Sequence, residues 1–358
     1  MLKTPFYDPT KSYEDNYKEG PFGAFIDGTV YQQSGEPPYD FFGHKVYLPF
    51  GIPAGPILNS AYVKGAFEKG FDLVVYKTVR SGIFPCHPHP NVLPVELEGD
   101  LTIERAEKPL VVKEDYSEPL SITNSFGVPS KDPSEWQDDV KKALSYAGKG
   151  QVLILSFMGT VRPNQTPQEF IDDFVLAAKL ATETGATVLE ANLSCPNIGN
   201  EGLVCYNLSA TDAILKAVRK EIGDLPLIVK TGYFADEGAL AQFAESCANY
   251  AHAISAINTI AAPIVDKNGN QALPGSPMRL KSGVCGTSIK WAGIEMVKRL
   301  KKLKEEKGYS YKIEGVGGVM NAQDYQDFLD VGADAVMSAT GAMWNPLLAQ
   351  EIKQKVLK

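Results

Sequence analysis

The feature that most constrains this chain is an alternation: eight short apolar runs, each followed by an amphipathic helical pattern. The runs are Tyr47–Pro53, Leu73–Lys77, Val152–Phe157, Val188–Leu193, Leu227–Lys230, Ala253–Asn258, Lys312–Gly315 and Ala335–Ser338. Continuous apolar strands of this kind suit a parallel sheet buried on both faces. Eight successive β-then-α units predict an α/β protein with a closed (β/α)8 TIM barrel, although an open doubly wound sheet would show the same count. Helix starts are marked locally. Thr166 precedes Pro167 with Glu169 three residues on, the spacing of a capping box, and Asn321 opens another helix.

Two regions fall outside the repeat. Residues 1–45 are rich in Tyr, Gly and Pro and read as an arm that wraps the barrel or a partner subunit, leaving 46–358 as a single catalytic domain. The connection from Arg80 to about Pro133 is too long for an ordinary loop and holds strand-like pieces at Val95–Leu97 and Leu110–Val112, so it predicts a small β excursion over one barrel face. A net charge of -8 and a pI near 5.2 argue against a nucleic-acid surface. The basic run from Lys298 to Lys304 reads as a solvated helix face. No stretch approaches the ~20 apolar residues of a membrane helix, and the polar, acidic N-terminus does not read as a signal peptide. Cys86, Cys195, Cys205, Cys247 and Cys285 are odd in number and lack a CxxC pair, which implies thiols in a reducing cytoplasm and no iron–sulfur cluster within the chain.

In a TIM barrel the chemistry sits where strands end. The polar groups just past the apolar runs are Ala54-Gly55, Lys77-Thr78, Ser156, Asn192 to Asn197, Lys230, Asn258-Thr259, Gly317-Gly318 and Ala339-Thr340. A ring so rich in amides suits a planar heterocycle with alternating N–H and C=O groups, because each Asn offers both a donor and an acceptor. Lys77 and Lys230 end apolar strands, a costly place for an ammonium unless an anion waits there. Gly317-Gly318 before a helix, with Thr340-Gly341 after the last strand, matches a phosphate grip in the final barrel loops. Cys195 lies in Asn192-Leu-Ser-Cys195-Pro-Asn197, lifted onto a strand end among polar neighbours, where a thiol can act as a base. Cys247, inside a helix, reads as core, and Cys205 and Cys285 read as structural. Cys86-His87-Pro88-His89 offers too few ligands at suitable spacing for a metal, so no metal site is expected and the segment reads as a solvated loop.

From about Tyr47 onward these residues resemble the dihydroorotate dehydrogenase family. The Asn192–Asn197 motif is specific to that family and its relative dihydropyrimidine dehydrogenase, and Asn124-Ser-Phe126-Gly127-Val-Pro resembles the family's substrate loop. The resemblance implies oxidation of dihydroorotate to orotate with FMN as hydride acceptor and Cys195 taking the C5 proton. It implies that Lys77, Asn124, Phe126, Gly127, Asn192, Asn197, Asn258 and Thr259 contact the substrate. It places Ala54, Gly55, Lys77, Thr78, Ser156, Asn192, Lys230, Gly286, Gly317, Gly318, Ala339 and Thr340 around FMN. A cysteine base resembles the soluble class 1 enzymes, which implies a cytoplasmic homodimer, with an electron-transfer partner chain as one route for reoxidation. Two other readings stand beside it: a dihydropyrimidine dehydrogenase-like enzyme acting on uracil or thymine, and a flavin-binding barrel without catalysis.

Overall fold

In the computed structural model, residues 2–194 and 203–357 are described. The eight expected runs all form strands: β1 Phe50–Ile52, β2 Leu73–Val79, β3 Val152–Phe157, β4 Leu189–Asn192, β5 Leu227–Thr231, β6 Ala253–Ala256, β7 Lys312–Val316 and β8 Ala335–Met337. They pair in parallel, each with the next in sequence, and β8 returns to β1 through Val336 opposite Phe50 and Met337 opposite Gly51, so the barrel is closed. Alternate residues point inward. Leu73 and Val75 on β2, Val152 and Ile154 on β3, Ile228 on β5 and Met337 on β8 share one interior cluster. Val74, Leu153, Leu155, Leu227 and Val229 turn outward into the larger core under the helices.

The surrounding helices are α1 Ser60–Glu68, α2 Pro133–Leu144, α3 Pro167–Thr182, α4 Leu208–Ile222, α5 Glu237–Tyr250, α6 Lys290–Lys307, α7 Ala322–Asp330 and α8 Leu348–Val356. The capping box at Thr166 is complete on α3, and Asn321 caps α7 through its side chain. The basic run lies on α6, where Lys301 and Lys302 face Glu305 and Glu306 one turn on.

The hairpin Tyr39–Phe41/His44–Val46 plugs the end of the barrel where strands begin: Phe41 and Val46 join the interior cluster beside Leu73, Val152 and Ala253. That leaves the opposite end open for chemistry. The rest of the arm lies along the barrel, with Phe6, Tyr7, Tyr13 and Phe25 buried and the Phe6 N–H donating to the Met343 carbonyl. A buried ion pair anchors the start of β2 to α8, with Lys353 Nζ 2.6 Å from Asp72 Oδ1.

The β excursion after β2 is present, and it is larger than the sequence implies. Val92–Pro94, Leu110–Val111 and Ser121–Asn124 join two further strands, Ile260–Val265 and Lys281–Gly286, in one five-stranded sheet. Those last two strands fall between β6 and α6, where the sequence reading had a helix following directly. Ile260-Ala-Ala-Pro-Ile-Val instead leaves the barrel as a hairpin arm, and α6 begins only at Lys290.

Candidate functional site

Side-chain parity decides what reaches the open end. Lys77 lies two residues beyond Val75, Ser156 two beyond Ile154 and Lys230 two beyond Ile228, so all three continue inward-facing rows past the apolar interior. Each is buried. The Lys77 ammonium stands over the Phe126 ring, 5.0 Å from its centroid, a geometry that favours a cation on the ring face. Lys230 donates to Ser255 Oγ at 3.3 Å.

A narrow slot is lined by Ala54, Gly55, Lys77, Asn124, Phe126, Lys230, Asn258, Thr259, Ala339 and Thr340, together with Tyr7 and Met343. A second cavity, lined by Gly286, Gly317, Gly318 and Gly341, shares Asn258, Cys285, Val316, Ala339 and Thr340 with the slot, so the two form one elongated site. Glycine is required in its wall at two points. A Cβ on Gly286 would stand 2.3 Å from the Leu120 carbonyl oxygen, and one on Gly318 2.6 Å from Lys290 Cβ; both residues have positive φ. The residues fit FMN: a largely apolar slot with two ammonium groups for the ring system, and an end lined by glycines, a residue type suited to phosphate binding. The Thr259 hydroxyl supports a ligand as well, since it is buried without a partner among the described residues.

The remaining sequence-predicted residues lie beside the slot. Thr78 Oγ1 and Ser156 Oγ are 2.9 Å apart, and Asn192 Nδ2 donates to Thr78 Oγ1 at 3.2 Å, a chain that fixes the Asn192 amide. Asn192 Oδ1 in turn accepts from the Ser194 N–H, while Asn258 Nδ2 donates to the Ser194 carbonyl at 2.7 Å. The segment leading to Cys195 is thus gripped from two strands. Cys195 and Asn197 themselves lie outside the described residues. Gly127 packs against the His87 ring. A wider groove of about 920 Å³ runs between Ile103, Tyr233, Phe234 and Arg279 and touches the slot at Thr259. The chemistry belongs in the slot all the same, because Lys77, Lys230, Asn124 and Asn258 converge there.

Several contributors are absent from the sequence reading. Cys285, read as structural, lines the slot, and Asn124 Nδ2 and Thr340 Oγ1 both lie 3.5 Å from its sulfur. Burial pushes its thiol up, which keeps it protonated. The segment from Asn124 to Pro129 is held by two buried arginines. Arg80 donates from Nε to the Val128 carbonyl at 2.8 Å and from Nη2 to that of Gly127 at 3.2 Å, restraining Val128 at a φ of 52°, where a β-branched residue is strained. Arg279 donates to Ser125 Oγ, the Ser125 carbonyl and the Pro88 and Pro90 carbonyls at 3.0 to 3.2 Å, and also to Pro274. The Cys86–His89 segment is solvated only in part: Pro88 and His89 are exposed, but His87 packs against the site, its Nδ1 3.3 Å from Ser125 Oγ, and burial beside Arg279 and Arg80 pushes its imidazole down to about 4. A lone Arg in a Pro/Ser-rich stretch and a Tyr in an unfamiliar arm gave no signal before folding.

The family model described as dihydroorotate dehydrogenase matches residues 106–358. A dihydroorotate dehydrogenase of Dictyostelium discoideum is 37% identical over 98% of this chain and 97% of its own length. The catalytic subunit of dihydroorotate dehydrogenase B (NAD(+)) of Brachyspira hyodysenteriae is 27% identical, covering 65% of this chain and 71% of that one. Among solved structures, a ligand-free DHODH of Eimeria tenella superposes with a TM-score of 0.70 at 17% identity, covering 96% of this chain and 92% of that one, a likeness of fold.

Proposed function

The chain belongs to the dihydroorotate dehydrogenase family, and from that premise we propose that it binds FMN along the strand-end slot and uses Cys195 as the base. It is a flavin-dependent oxidoreductase that converts dihydroorotate to orotate in pyrimidine biosynthesis. The observation that carries the finer reading is the convergence of Lys77, Lys230, Asn124, Asn258 and Thr259 on one slot continuous with a glycine-lined end.

When bound, FMN supplies the hydride acceptor. Lys77 offers its ammonium to the substrate carboxylate from above the Phe126 ring, and Asn124 and Asn258 present amides to the ring's N–H and C=O groups. Asn192 and Ser194 hold the approach to Cys195, whose thiolate removes the C5 proton. The protein's part is mostly positioning, with the reacting groups held in line. Gly317, Gly318, Ala339 and Thr340 line the end that would take the phosphate. Residues 46–358 act as one catalytic unit and 1–45 as its arm. The working form is a cytoplasmic homodimer, with reoxidation by a small acceptor or through a partner chain. No helix among the described residues is long and apolar enough to cross a membrane.

Purified protein is expected to be yellow, and anaerobic dihydroorotate to bleach its ~450 nm band. Cys195→Ala should keep the colour but slow reduction by roughly 10²–10⁴. Colour that persists with dihydroorotate yet bleaches with dihydrouracil would transfer the assignment to the uracil and thymine enzymes. Bound flavin that neither compound reduces would leave a binding barrel without catalysis.

A further inference from the structure

Two glutamates stand inside the barrel directly below the slot. Glu190 is the inward residue of β4 between Val188 and Asn192, and Glu314 is that of β7 between Lys312 and Val316. They are no more than 2% exposed. None of their four carboxylate oxygens makes a well-formed hydrogen bond among the described residues, although the Ser156 and Ser255 hydroxyls lie close enough to favour the charged forms a little. Lys230 is the ammonium that both feel, and it lines the slot above them. Ser255 links the set by register, opposite Lys230 on one side and Glu314 on the other.

The charge count is the difficulty. One ammonium and two carboxylates would leave a net negative charge in a dry core, which is far more costly than a neutral set. Groups that face the pair do not change the count. From β3 there is Ser156, from β5 Lys230, from β6 Ser255 and from β8 only Ala335. Lys312, two residues before Glu314, turns to Asp40 of the hairpin. Lys77, on β2, stands over Phe126.

We propose that Glu190 and Glu314 share one proton, and that this proton keeps Lys230 available to a ligand in the slot rather than held down by two carboxylates. The two glutamates are positioning residues for Lys230 and touch no ligand themselves. Burial and mutual repulsion act in the same direction: the Glu314 carboxyl is pushed up to about 7, first by desolvation and then by Glu190, and Glu190 is raised by desolvation. The inference rests on the FMN reading for the identity of the ligand but not for the proton.

The test uses Glu314→Gln, which mimics the protonated carboxyl, with Glu190→Gln as the second variant should the first not fold. Two readouts separate the ideas. In flavin-stripped protein, a raised carboxyl means the folded state binds a proton that the unfolded state has lost, so wild-type stability relative to the Gln variant should fall as pH rises from about 4.5 to about 7 and then level off. In titrations with FMN, wild-type affinity should drop about tenfold between pH 6 and pH 8.5, while Glu314→Gln binds with little change. Parallel stability curves for wild type and both variants would overturn the shared proton. An unchanged pH profile of FMN affinity alongside diverging stability curves would overturn the link to Lys230. Protein that binds no FMN at any pH defeats the cofactor assignment, and the stability comparison then decides the proton alone.

Discussion

Arg279 permits a prediction whose size can be worked from the structure. Its side chain is buried and donates to carbonyls from three separate segments, at Pro88 and Pro90, at Ser125 and at Pro274, and to Ser125 Oγ. Asn91 Nδ2 also donates to the Ser125 carbonyl at 3.0 Å and to that of Pro88 at 3.4 Å, so those two acceptors keep a partner if Arg279 is removed. The carbonyls of Pro90 and Pro274 lose theirs. Neither of those residues is fully buried, so water can replace part of what is lost; hydrogen bonds to a charged group contribute about 1.5–3 kcal/mol, and Arg279→Met should lose about 2–3 kcal/mol. Arg279→Lys keeps the charge, but a compact ammonium cannot span three segments, and about half that loss is expected. Urea unfolding gives the number, as a lower midpoint at unchanged slope. Because Ser125 lies between Asn124 and Phe126, orotate affinity of the folded variant should fall as well, by about tenfold. A loss under 1 kcal/mol would refute the clamp, and a large loss with normal orotate binding would refute its role in placing the loop.

Other expectations follow from buried charge. Asp72→Asn should cost about 3–5 kcal/mol, because it strands the buried Lys353 ammonium, and calorimetry that finds less than 1 would show the pair to be dispensable. His87 is held near 4 by burial and by Arg279 and Arg80, below the ordinary 6.5, so the folded state resists a proton that the unfolded state accepts. Its stabilising contribution is therefore complete above about pH 6.5 and is lost as pH falls towards 4. Discounted for solvent screening, it amounts to about 1 kcal/mol. His87→Gln should flatten that part of the acid limb, and superimposable wild-type and variant profiles between pH 4 and 7 would contradict the assignment.

The barrel was legible because its strands are buried on both faces, which leaves continuous apolar runs that few other structures require. The strand-end polar residues followed from the architecture: Lys77 and Lys230 reach the slot because parity carries inward rows past the apolar interior, while Asn258 and the Gly317-Gly318 pair reach it from the segments just past their strands. What could not be read depends on distant partners. Ile260–Val265 looks like a continuation of β6, and nothing local reveals that it pairs with Leu110–Val111 from the earlier excursion. Arg279 is polar in a polar stretch, and only the folded chain surrounds it with carbonyls. Glu190 and Glu314 did carry a signal, a carboxylate within an apolar strand, but their number relative to Lys230 matters only once three strands bring them together.

The sheet that walls the slot has a consequence for how such a protein changes over generations. Asn124 sits opposite Val92 on one side and Gly283 on the other, so its position depends on loops that follow two different barrel strands. A residue gained or lost in either loop slides the register and turns the neighbours of Asn124 to the other face. The two loops are therefore expected to change together. Exchanging one of them with a relative should disturb the slot more than exchanging both, even though they lie far apart in the gene.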